Sequence, residues 1–388
     1  MMLDDSAAVL VAAARTPVGK FGGALSHLSG VELGARAVEA ALRTFDGELL
    51  PDHTFLGNVV QAGNGQNPAR SAAIRGGVPA TVPGTTINDV CLGSMSAVGL
   101  GATLIRVGEM TTALVGGFES MSRAPHALDV RSGVKVGSTE MRDLLVTDGL
   151  WCAVSDSGMG ELSEEANSAL GIGRGDQDAF AADSHRRAGA ATACGRFKSE
   201  ITALTDVLES DEGIRPDTDE QKLARLRPAF AAGGTITAGN SSQMSDAGAA
   251  GIMTSSGNAR SLGIAPIVEI ADRAVVSGPD ATLHLKPAMA ARALLDRNGL
   301  GIKDIGLWEI NEAFAGVVVA SARELDVDTS IVNVNGGAVA LGHPLGASGF
   351  RLVMTLAFEM RERSVEYGVA AICGGGGQGQ AMLLRLPS

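Results

Sequence analysis

Short apolar runs alternate with longer helical segments along most of the chain, and this alternation is the feature that most constrains its fold. Residues 7–14 have the apolar character of a strand, and residues 30–45 have the spacing of an amphipathic helix. Such alternation is typical of α/β proteins, in which helices cover the faces of a sheet. Residues 265–386 repeat the same order of segments. The sequence therefore predicts an α/β protein in which one αβ unit is used twice.

The segment between the two repeats has a different composition. Residues 121–240 are polar and rich in Asp, Ser and Arg. An insertion of this length in a compact domain usually has a function, such as a lid or a ligand-binding region, and an oligomerisation loop is the alternative. We predict an N-terminal domain of residues 1–120 plus about 241–262, a loop domain of residues 121–240, and a C-terminal domain of residues 263–388.

Composition limits the classes of partner and cellular setting. The net charge of −12 argues against a general affinity for nucleic acid or anionic membranes. No apolar run reaches the ~18 residues of a membrane span. The four cysteines lie far apart without a CxxC pair, which favours reduced thiols in a cytoplasm over a disulfide framework or a zinc site. We expect a cytoplasmic protein with no metal, no membrane anchor and no nucleic-acid partner.

Four polar residues follow predicted strands, where open α/β sheets gather their active sites. Cys91 precedes an apolar helix, whose positive end would lower the pKa of its thiol. His343, in a glycine-rich loop, could accept a proton from a thiol. Asn311 could orient a water or an oxyanion, or cap the helix that follows. Taken singly, each has a structural alternative, namely a buried cysteine, a turn histidine or a capping asparagine. We predict that Cys91, Asn311, His343 and Cys373 all lie at the C-terminal ends of strands.

The stretch "AAICGGGGQGQA", residues 370–381, places Cys373 before four consecutive glycines. A phosphate-binding loop is one interpretation, but no lysine or helix start follows and an apolar strand resumes at "QAMLLRL". The pattern instead predicts a strand, a tight turn and a second strand, with the thiol of Cys373 presented at the turn.

Eight stretches, in this order, resemble the thiolase family over essentially the whole chain. They are "RTPVGKFGGAL", "NDVCLGSMSAV", "GGFESMSRAPH", "DEGIRPDT…KLARLRPAF", "GTITAGNSSQMSDAGAA", "EINEAFA", "NVNGGAVALGHPLGASG" and "CGGGGQG". The resemblance implies a five-layered α/β/α/β/α fold of two similar halves with an inserted loop domain. It also implies a homodimer or homotetramer, and an acyltransfer reaction in which coenzyme A thioesters are substrates and no further cofactor is needed.

The resemblance further implies roles in the Claisen condensation of two acetyl-CoA molecules to acetoacetyl-CoA and CoA, or the reverse thiolysis, as part of fatty acid metabolism. Cys91 would take the acetyl group, His343 would accept the proton of its thiol, and Cys373 would remove the α-proton of the second acetyl-CoA. His343 and a water held by Asn311 would form one oxyanion hole. The backbone N–H groups of Cys91 and Gly375 would form the other, and a side chain at 375 would hinder that approach.

The same resemblance implies a set of coenzyme A contacts. Arg215 would lie near the nucleotide, with a solvated surface charge as the alternative. The other positions would line the channel or flank the reacting thioester: Leu150, Met159, Phe230, Ala238, Ser242, Ala313 and Phe314. The chain departs from the family pattern at Leu92-Gly93-Ser94, in the run Ser241–Asp246, and at Gly158, where a histidine is usual. The last difference leaves one contact to the pantetheine or acyl group open.

Four other functions are weighed against this one. A 3-ketoacyl-CoA thiolase of β-oxidation would use the same chemistry on a longer acyl chain. A condensing enzyme that acts on acyl-carrier protein is disfavoured by Cys373, because such enzymes lack a second catalytic cysteine. An inactive scaffold is disfavoured because Cys91, His343 and Cys373 are all present. A dinucleotide-dependent oxidoreductase is disfavoured because no strand ends in a well-placed G-x-G-x-x-G.

Overall fold

The computed structural model describes residues 4–387 except 45–48, 132, 134 and 206. In the described part the strands are β1 Ala8–Arg15, β2 Gly19–Lys20, β3 His53–Gly57, β4 Gly84–Ile87, β5 Thr112–Ser120, β6 His126–Ala127, β7 Arg142–Asp143, β8 Trp151–Cys152, β9 Ser157–Gly158, β10 Ser245–Ser255, β11 Val268–Ser277, β12 Leu307–Ile310, β13 Tyr367–Gly374 and β14 Gln378–Arg385. The α-helices are α1 Gly30–Arg43, α2 Pro68–Arg75, α3 Gly93–Arg106, α4 Met159–Leu170, α5 Arg174–Ala193, α6 Glu220–Ala224, α7 Ser256–Ser261, α8 Lys286–Asn298, α9 Ala315–Leu325, α10 Ala338–Leu341 and α11 Leu345–Arg363.

The main sheet contains the same arrangement of strands twice. Its order is β12-β13-β14-β11-β1-β10-β5-β3-β4, and β2 pairs with β10. In the N-terminal half β3 is parallel to β4 and β5, whereas β10 is antiparallel to both β5 and β1. In the C-terminal half β12 is parallel to β13, and β14 is antiparallel to both β13 and β11. The repeat predicted from the sequence is therefore present as two half-sheets of matching topology.

The two half-sheets join along one short edge. Val9 of β1 lies opposite Glu269 of β11, and Leu10 lies opposite Val268. Both faces of β1 are buried, and its side chains alternate between two cores, with Leu10 in one cluster and Val9 in the other. Such burial on both faces explains why the strand reads as a continuous apolar run.

Helices occupy three layers around the two half-sheets. Helices α3 and α11 lie between the half-sheets, where Met95 and Phe350 pack in one cluster with residues of both halves. Helices α1 and α2 cover the outer face of the N-terminal half-sheet, and α8 and α9 cover that of the C-terminal half-sheet. The order of layers is α/β/α/β/α, which confirms the predicted fold class.

The ends of β3 and β5 approach the first turns of α3 and α11 through glycine contacts. A Cβ added to Gly57 would lie 2.6 Å from the backbone nitrogen of Ser94 and 2.8 Å from the carbonyl oxygen of Gly346. A Cβ added to Gly117 would overlap the same carbonyl oxygen. These distances are shorter than van der Waals contact, so only glycine allows the helix ends to lie this close to the strands.

Two predicted elements differ from the structure at their ends. The helix predicted over residues 30–45 ends at Arg43, and residue 45 lies outside the described residues. The strand predicted from residue 331 is reduced to a single bridge between Val332 and Trp308, because Asn333 turns the chain with φ of 47°. The segment 121–240 contains α4, α5, α6 and the short pairs β6–β7 and β8–β9. None of the described helices is long and apolar enough to cross a membrane.

Candidate active site

Cys91 lies on a sharp turn between β4 and α3. The residue before it, Val90, has φ of 48°, a left-handed conformation that β-branched residues rarely adopt. The turn is closed by the N–H of Leu92 donating to the carbonyl of Asp89 at 3.0 Å. Strained backbone of this kind collects at functional sites, because the surrounding structure must hold it in place.

The surroundings of the Cys91 thiol favour its neutral form. The pKa of Cys91 is raised to about 12, chiefly by burial and to a smaller extent by the charges of Glu119 and Asp89, although the backbone N–H groups of Cys91 and Gly375 oppose the shift. The prediction that the helix end lowers this pKa is therefore wrong for the protein alone. Burial outweighs the dipole because the thiol lies between the two packed halves of the molecule.

Cys373 lies at the end of β13, on the opposite half-sheet, and reaches the same place. It is 1% exposed and packs with Ile236, Ala313 and Phe314. Burial and the nearby Cys91 thiol raise the pKa of Cys373 well above its usual range. The two halves of the molecule thus bring two neutral thiols together.

Different physical constraints act on the four glycine positions after Cys373. Gly376 and Gly377 have φ of 78° and 73°, which favours glycine, and a Cβ at Gly374 would lie 2.7 Å from Leu92 Cγ. At Gly375 a Cβ would only contact Val90 Cγ1 at 3.4 Å. Packing within the protein therefore does not require glycine at 375. The steric reason given for it stays a prediction about a bound thioester.

His343 lies in the loop between α10 and α11, so the prediction that it follows a strand is wrong. Its Nδ1 lies 2.6 Å from Ser348 Oγ, and that hydroxyl donates to the carbonyl of Pro344 at 2.9 Å. The hydroxyl hydrogen is thereby used, so Ser348 accepts the proton of Nδ1–H and the lone pair of the ring is on Nε2. Burial and the Arg351 charge lower the pKa of His343 to about 3. The imidazole is therefore neutral, with Nε2 ready to accept a proton.

Asn311 directly follows β12 and faces His343. Its side-chain Nδ2 lies 3.4 Å from His343 Nε2. Asn311 does not cap α9, which begins at Ala315 after Phe314 and has no side-chain cap. Asn311 is 0% exposed, and its Oδ1 has no hydrogen-bond partner among the described residues. A buried acceptor without a partner is where a water or a ligand donor is expected.

A cavity of about 670 Å³ leads to His343 from the surface. Phe230 and Phe314 form an edge-to-face pair in its wall, with ring centroids 5.9 Å apart. Six of the predicted coenzyme A contacts line this cavity: Leu150, Met159, Phe230, Ala238, Ser242 and Phe314. The cavity therefore joins most of the predicted contacts to the histidine.

Two predicted contacts are not in the lining of the cavity. Ala313 is 7% exposed, and its carbonyl accepts the N–H of Ser242 at 3.1 Å. Arg215 is exposed on the surface, where its N–H donates to Nδ1 of His185 at 3.1 Å and its Nη2 lies 3.2 Å from Nε2 of the same ring. The structure thus joins Ala313 to Ser242 of the cavity wall and holds Arg215 against helix α5.

Sequence reasoning missed three residues of the site. Ser348 sets the tautomer of His343, and its signal is a hydroxyl five residues after the histidine, in the first turn of a helix. Glu119 is buried and accepts hydrogen bonds from the N–H groups of Val59 and Gly346, both at 3.0 Å, so it fastens α11 to the end of β3.

The third residue that sequence reasoning missed is Cys152. Burial raises the pKa of Cys152, but hydrogen bonds from Ser155, Val154 and the N–H of Gly376 outweigh burial and lower that pKa. Cys152 thus contacts the turn that follows Cys373.

Family models and individual relatives match nearly the whole chain. The model described as the N-terminal domain of thiolase matches residues 8–257, and the model of the C-terminal domain matches residues 264–386. A probable acetyl-CoA acetyltransferase of Mycobacterium leprae is 45% identical, over 97% of this chain and 98% of its own length. The acetyl-CoA acetyltransferase of Pseudomonas aeruginosa is 42% identical, over 97% of this chain and 98% of its own length.

A solved structure has the same fold. The crystal structure of the acetyl-CoA acetyltransferase of Bacillus anthracis superposes with a TM-score of 0.95 at 36% identity, and the match covers 98% of both chains. The two family models together match most of the chain, and a relative of 45% identity matches nearly all of it. The chain therefore belongs to the thiolase family of acyltransferases.

Proposed function

We propose that the chain is an acetyl-CoA C-acetyltransferase that condenses two acetyl-CoA molecules to acetoacetyl-CoA and CoA, and that catalyses the reverse thiolysis. The observation that carries the proposal is the meeting of Cys91 and Cys373 from opposite half-sheets, with the N–H of Gly375 on the Cys91 sulfur. A reaction that moves one acyl group and one α-proton needs two such groups within reach of one substrate.

In the first half of the reaction, Cys91 Sγ attacks the thioester carbonyl while its proton passes to Nε2 of His343. The raised pKa of Cys91 and the lowered pKa of His343 mean that neither ion is stable alone at this depth. The proton transfer is therefore concerted with the attack. The bond from the carbonyl carbon to the CoA sulfur breaks, and the departing sulfur takes the proton of Cys373.

In the second half, the Cys373 thiolate removes the α-proton of a second acetyl-CoA. The enolate carbon attacks the acetyl carbonyl on Cys91, and the released Cys91 sulfur recovers its proton from His343. All three side chains return to their starting protonation states. His343 and a water on Oδ1 of Asn311 would stabilise the enolate oxygen, and the N–H groups of Cys91 and Gly375 would stabilise the oxyanion of the tetrahedral intermediate.

Mass spectrometry after incubation with acetyl-CoA tests these roles. We expect one acetyl group on the peptide that contains Cys91, and none in the Cys91→Ala variant. The Cys373→Ala variant should lose the acid of the first step, so it should be acetylated more slowly but should form no acetoacetyl-CoA. An acetyl group that appears first on Cys373 would reverse the two assignments.

Steady-state thiolysis separates the proposal from a β-oxidation thiolase. We expect a higher kcat/KM for acetoacetyl-CoA than for 3-ketodecanoyl-CoA, and the opposite order would favour the longer-chain function. The names of the Mycobacterium leprae and Pseudomonas aeruginosa relatives support the shorter substrate. A homodimer or homotetramer, a cytoplasmic location and the domain borders stay predictions alongside it.

A further inference from the structure

We propose that Glu161 is a substrate-binding residue whose carboxylate accepts a hydrogen bond from the distal amide N–H of the pantetheine arm of the thioester. The inference rests on the proposed function, because it takes the cavity to be the site of a coenzyme A thioester. It adds a specificity determinant at the start of helix α4.

The position of Glu161 follows from the start of helix α4. Gly158 is the N-cap of α4 and Glu161 is the third residue of its first turn. A Cβ added to Gly158 would overlap the carboxylate of Glu161. The carboxylate therefore occupies the space that any side chain at 158 would need, and both residues line the cavity.

The carboxylate of Glu161 is exposed and has no partner within the described part of the protein. It forms no ion pair or hydrogen bond within the described part of the chain, and Gly158 gives α4 no side-chain cap. Among the described residues that line the cavity, the only other charged side chain is Lys20. The remaining wall near Glu161 is largely apolar, with Met159 and Phe230 beside it. The Glu161 carboxylate can therefore accept a hydrogen bond from an N–H or O–H donor of a ligand in the cavity.

Exposure indicates which part of a thioester would meet Glu161. Glu161 is exposed, whereas His343 is 5% exposed in the same cavity. A thioester that enters with its acyl end towards His343 therefore places the arm behind the sulfur at Glu161. That arm has two amide N–H groups, and the distal one lies nearer the cavity mouth. An anionic carboxylate also disfavours the alternative that a substrate phosphate binds at this point.

Three thioesters of decreasing length locate the contact. Acetoacetyl-CoA and acetoacetyl-pantetheine contain both amides, and the acetoacetyl thioester of N-acetylcysteamine contains only the proximal one. We expect Glu161→Ala to raise KM about tenfold for the first two, the effect of losing one hydrogen bond to a charged acceptor. The KM for the third should change less than about twofold, and kcat should change little for all three.

Four further variants make the test specific. Glu161→Gln keeps an acceptor oxygen and should raise KM only about two- to threefold. Glu165→Ala removes an exposed carboxylate of the same helix that does not line the cavity, and should leave every KM unchanged. Gly158→Ala should displace the carboxylate and raise KM, and the Gly158→Ala/Glu161→Ala double variant should be no worse than Glu161→Ala alone.

The outcomes separate this inference from the proposed function. Wild-type protein that does not turn over acetoacetyl-CoA would refute the proposed function, whereas normal wild-type turnover with no change of KM in Glu161→Ala would refute only the role of Glu161. An equal loss with all three thioesters would place the carboxylate at the acyl end. A loss with acetoacetyl-CoA alone would place the carboxylate at the nucleotide. A lower thermal unfolding midpoint without a change of KM would leave Glu161 only a helix-capping role.

Calorimetric titration with CoA gives the same comparison without turnover, and we expect CoA to bind about tenfold more weakly to Glu161→Ala than to the wild type.

Discussion

At the scale of single residues, the proposed chemistry depends on a side chain that fixes the tautomer of another side chain. His343 can accept a proton at Nε2 only because Ser348 accepts the proton of Nδ1, and Ser348 is held in turn by the carbonyl of Pro344. All three lie within six residues, in the loop before α11 and its first turn, so a change at Ser348 alters His343 without contacting a substrate.

The Ser348→Ala variant tests this dependence. Without the hydroxyl, the Nδ1–H loses its acceptor and the ring loses its orientation, so we expect kcat to fall about ten- to hundredfold, part of the ~100–10,000-fold that a general base contributes. Ser348→Thr keeps the hydroxyl and serves as the matched control. A kcat within about twofold of wild type in Ser348→Ala, with an unchanged unfolding midpoint, would show that the tautomer does not depend on Ser348.

The raised pKa of Cys91 predicts how its alkylation depends on pH. With a pKa of about 12, the thiolate fraction rises about tenfold per pH unit throughout pH 7–9.5. The rate of iodoacetamide modification, followed by mass spectrometry on the Cys91 peptide, should rise with the same slope. A short uncharged peptide that contains one cysteine, with a pKa of about 8.5, should level off in this range. A plateau for Cys91 by pH 8 would mean that the helix end, and not burial, dominates.

The residue types of the site are predictable from the sequence, but their electrostatics are not. Cys91, Asn311 and Cys373 follow recognisable strands, and the structure brings Cys91 close to Cys373 and Asn311 close to His343. The direction of the Cys91 pKa shift depends on how deeply the thiol is buried, and that depth is set by the opposite half-sheet, far away in the sequence. The hydroxyl that orients His343 is likewise visible only once the first turn of α11 is folded.

At the scale of elements, the ends of β3 and β5 are positioned against α3 and α11 by close backbone contacts. The strands and helices are predictable from apolar periodicity, because long periodic segments carry a strong signal. The bridge at Val332 is not, since Asn333 adopts a left-handed conformation that the pattern does not encode. The glycine contacts also escape prediction, because each joins residues from different elements.

Gly117→Ala tests the close contact between β5 and α11. The added methyl would overlap the carbonyl of Gly346, which is backbone and cannot rotate away. We expect a loss of about 1–3 kcal/mol in the free energy of unfolding, measured with urea. Gly175→Ala is the control, because a Cβ at this position in α5 meets nothing within 4 Å. Equal unfolding midpoints for the two variants would contradict the contact.

At the scale of the whole molecule, the inserted segment is fastened to the N-terminal half-sheet by buried charges. Arg15 of β1 donates to Asp211 at 2.6 and 2.9 Å and to Glu200 at 3.2 Å, and all three side chains are buried. The resemblance of whole motifs predicts the five layers, but this ion-pair network joins positions about two hundred residues apart. No local pattern could have indicated it.

Removal of the Arg15 side chain should therefore lower the stability of the folded protein. Arg15→Met leaves the buried Asp211 without its ion-pair partner. It leaves Glu200 with Arg196, 3.8 Å away, as its only ion-pair partner among the described residues, so we expect the free energy of unfolding to fall by about 3–5 kcal/mol. Arg36→Met removes an exposed arginine that lies 3.6 Å from Glu39, and should cost less than about 1 kcal/mol. A loss in Arg15→Met no larger than that in Arg36→Met would mean that the inserted segment is held by other contacts.

The narrow edge between β1 and β11 gives the protein a property of its own. Cys91 comes from the N-terminal half of the molecule, whereas Asn311, His343 and Cys373 come from the C-terminal half, and a single covalent crossing after α7 links the two halves. Neither half alone holds a complete set of reacting groups. We expect two polypeptides divided at that crossing to be inactive when separate and to turn over substrate only after the two halves dock, so that activity would report their association.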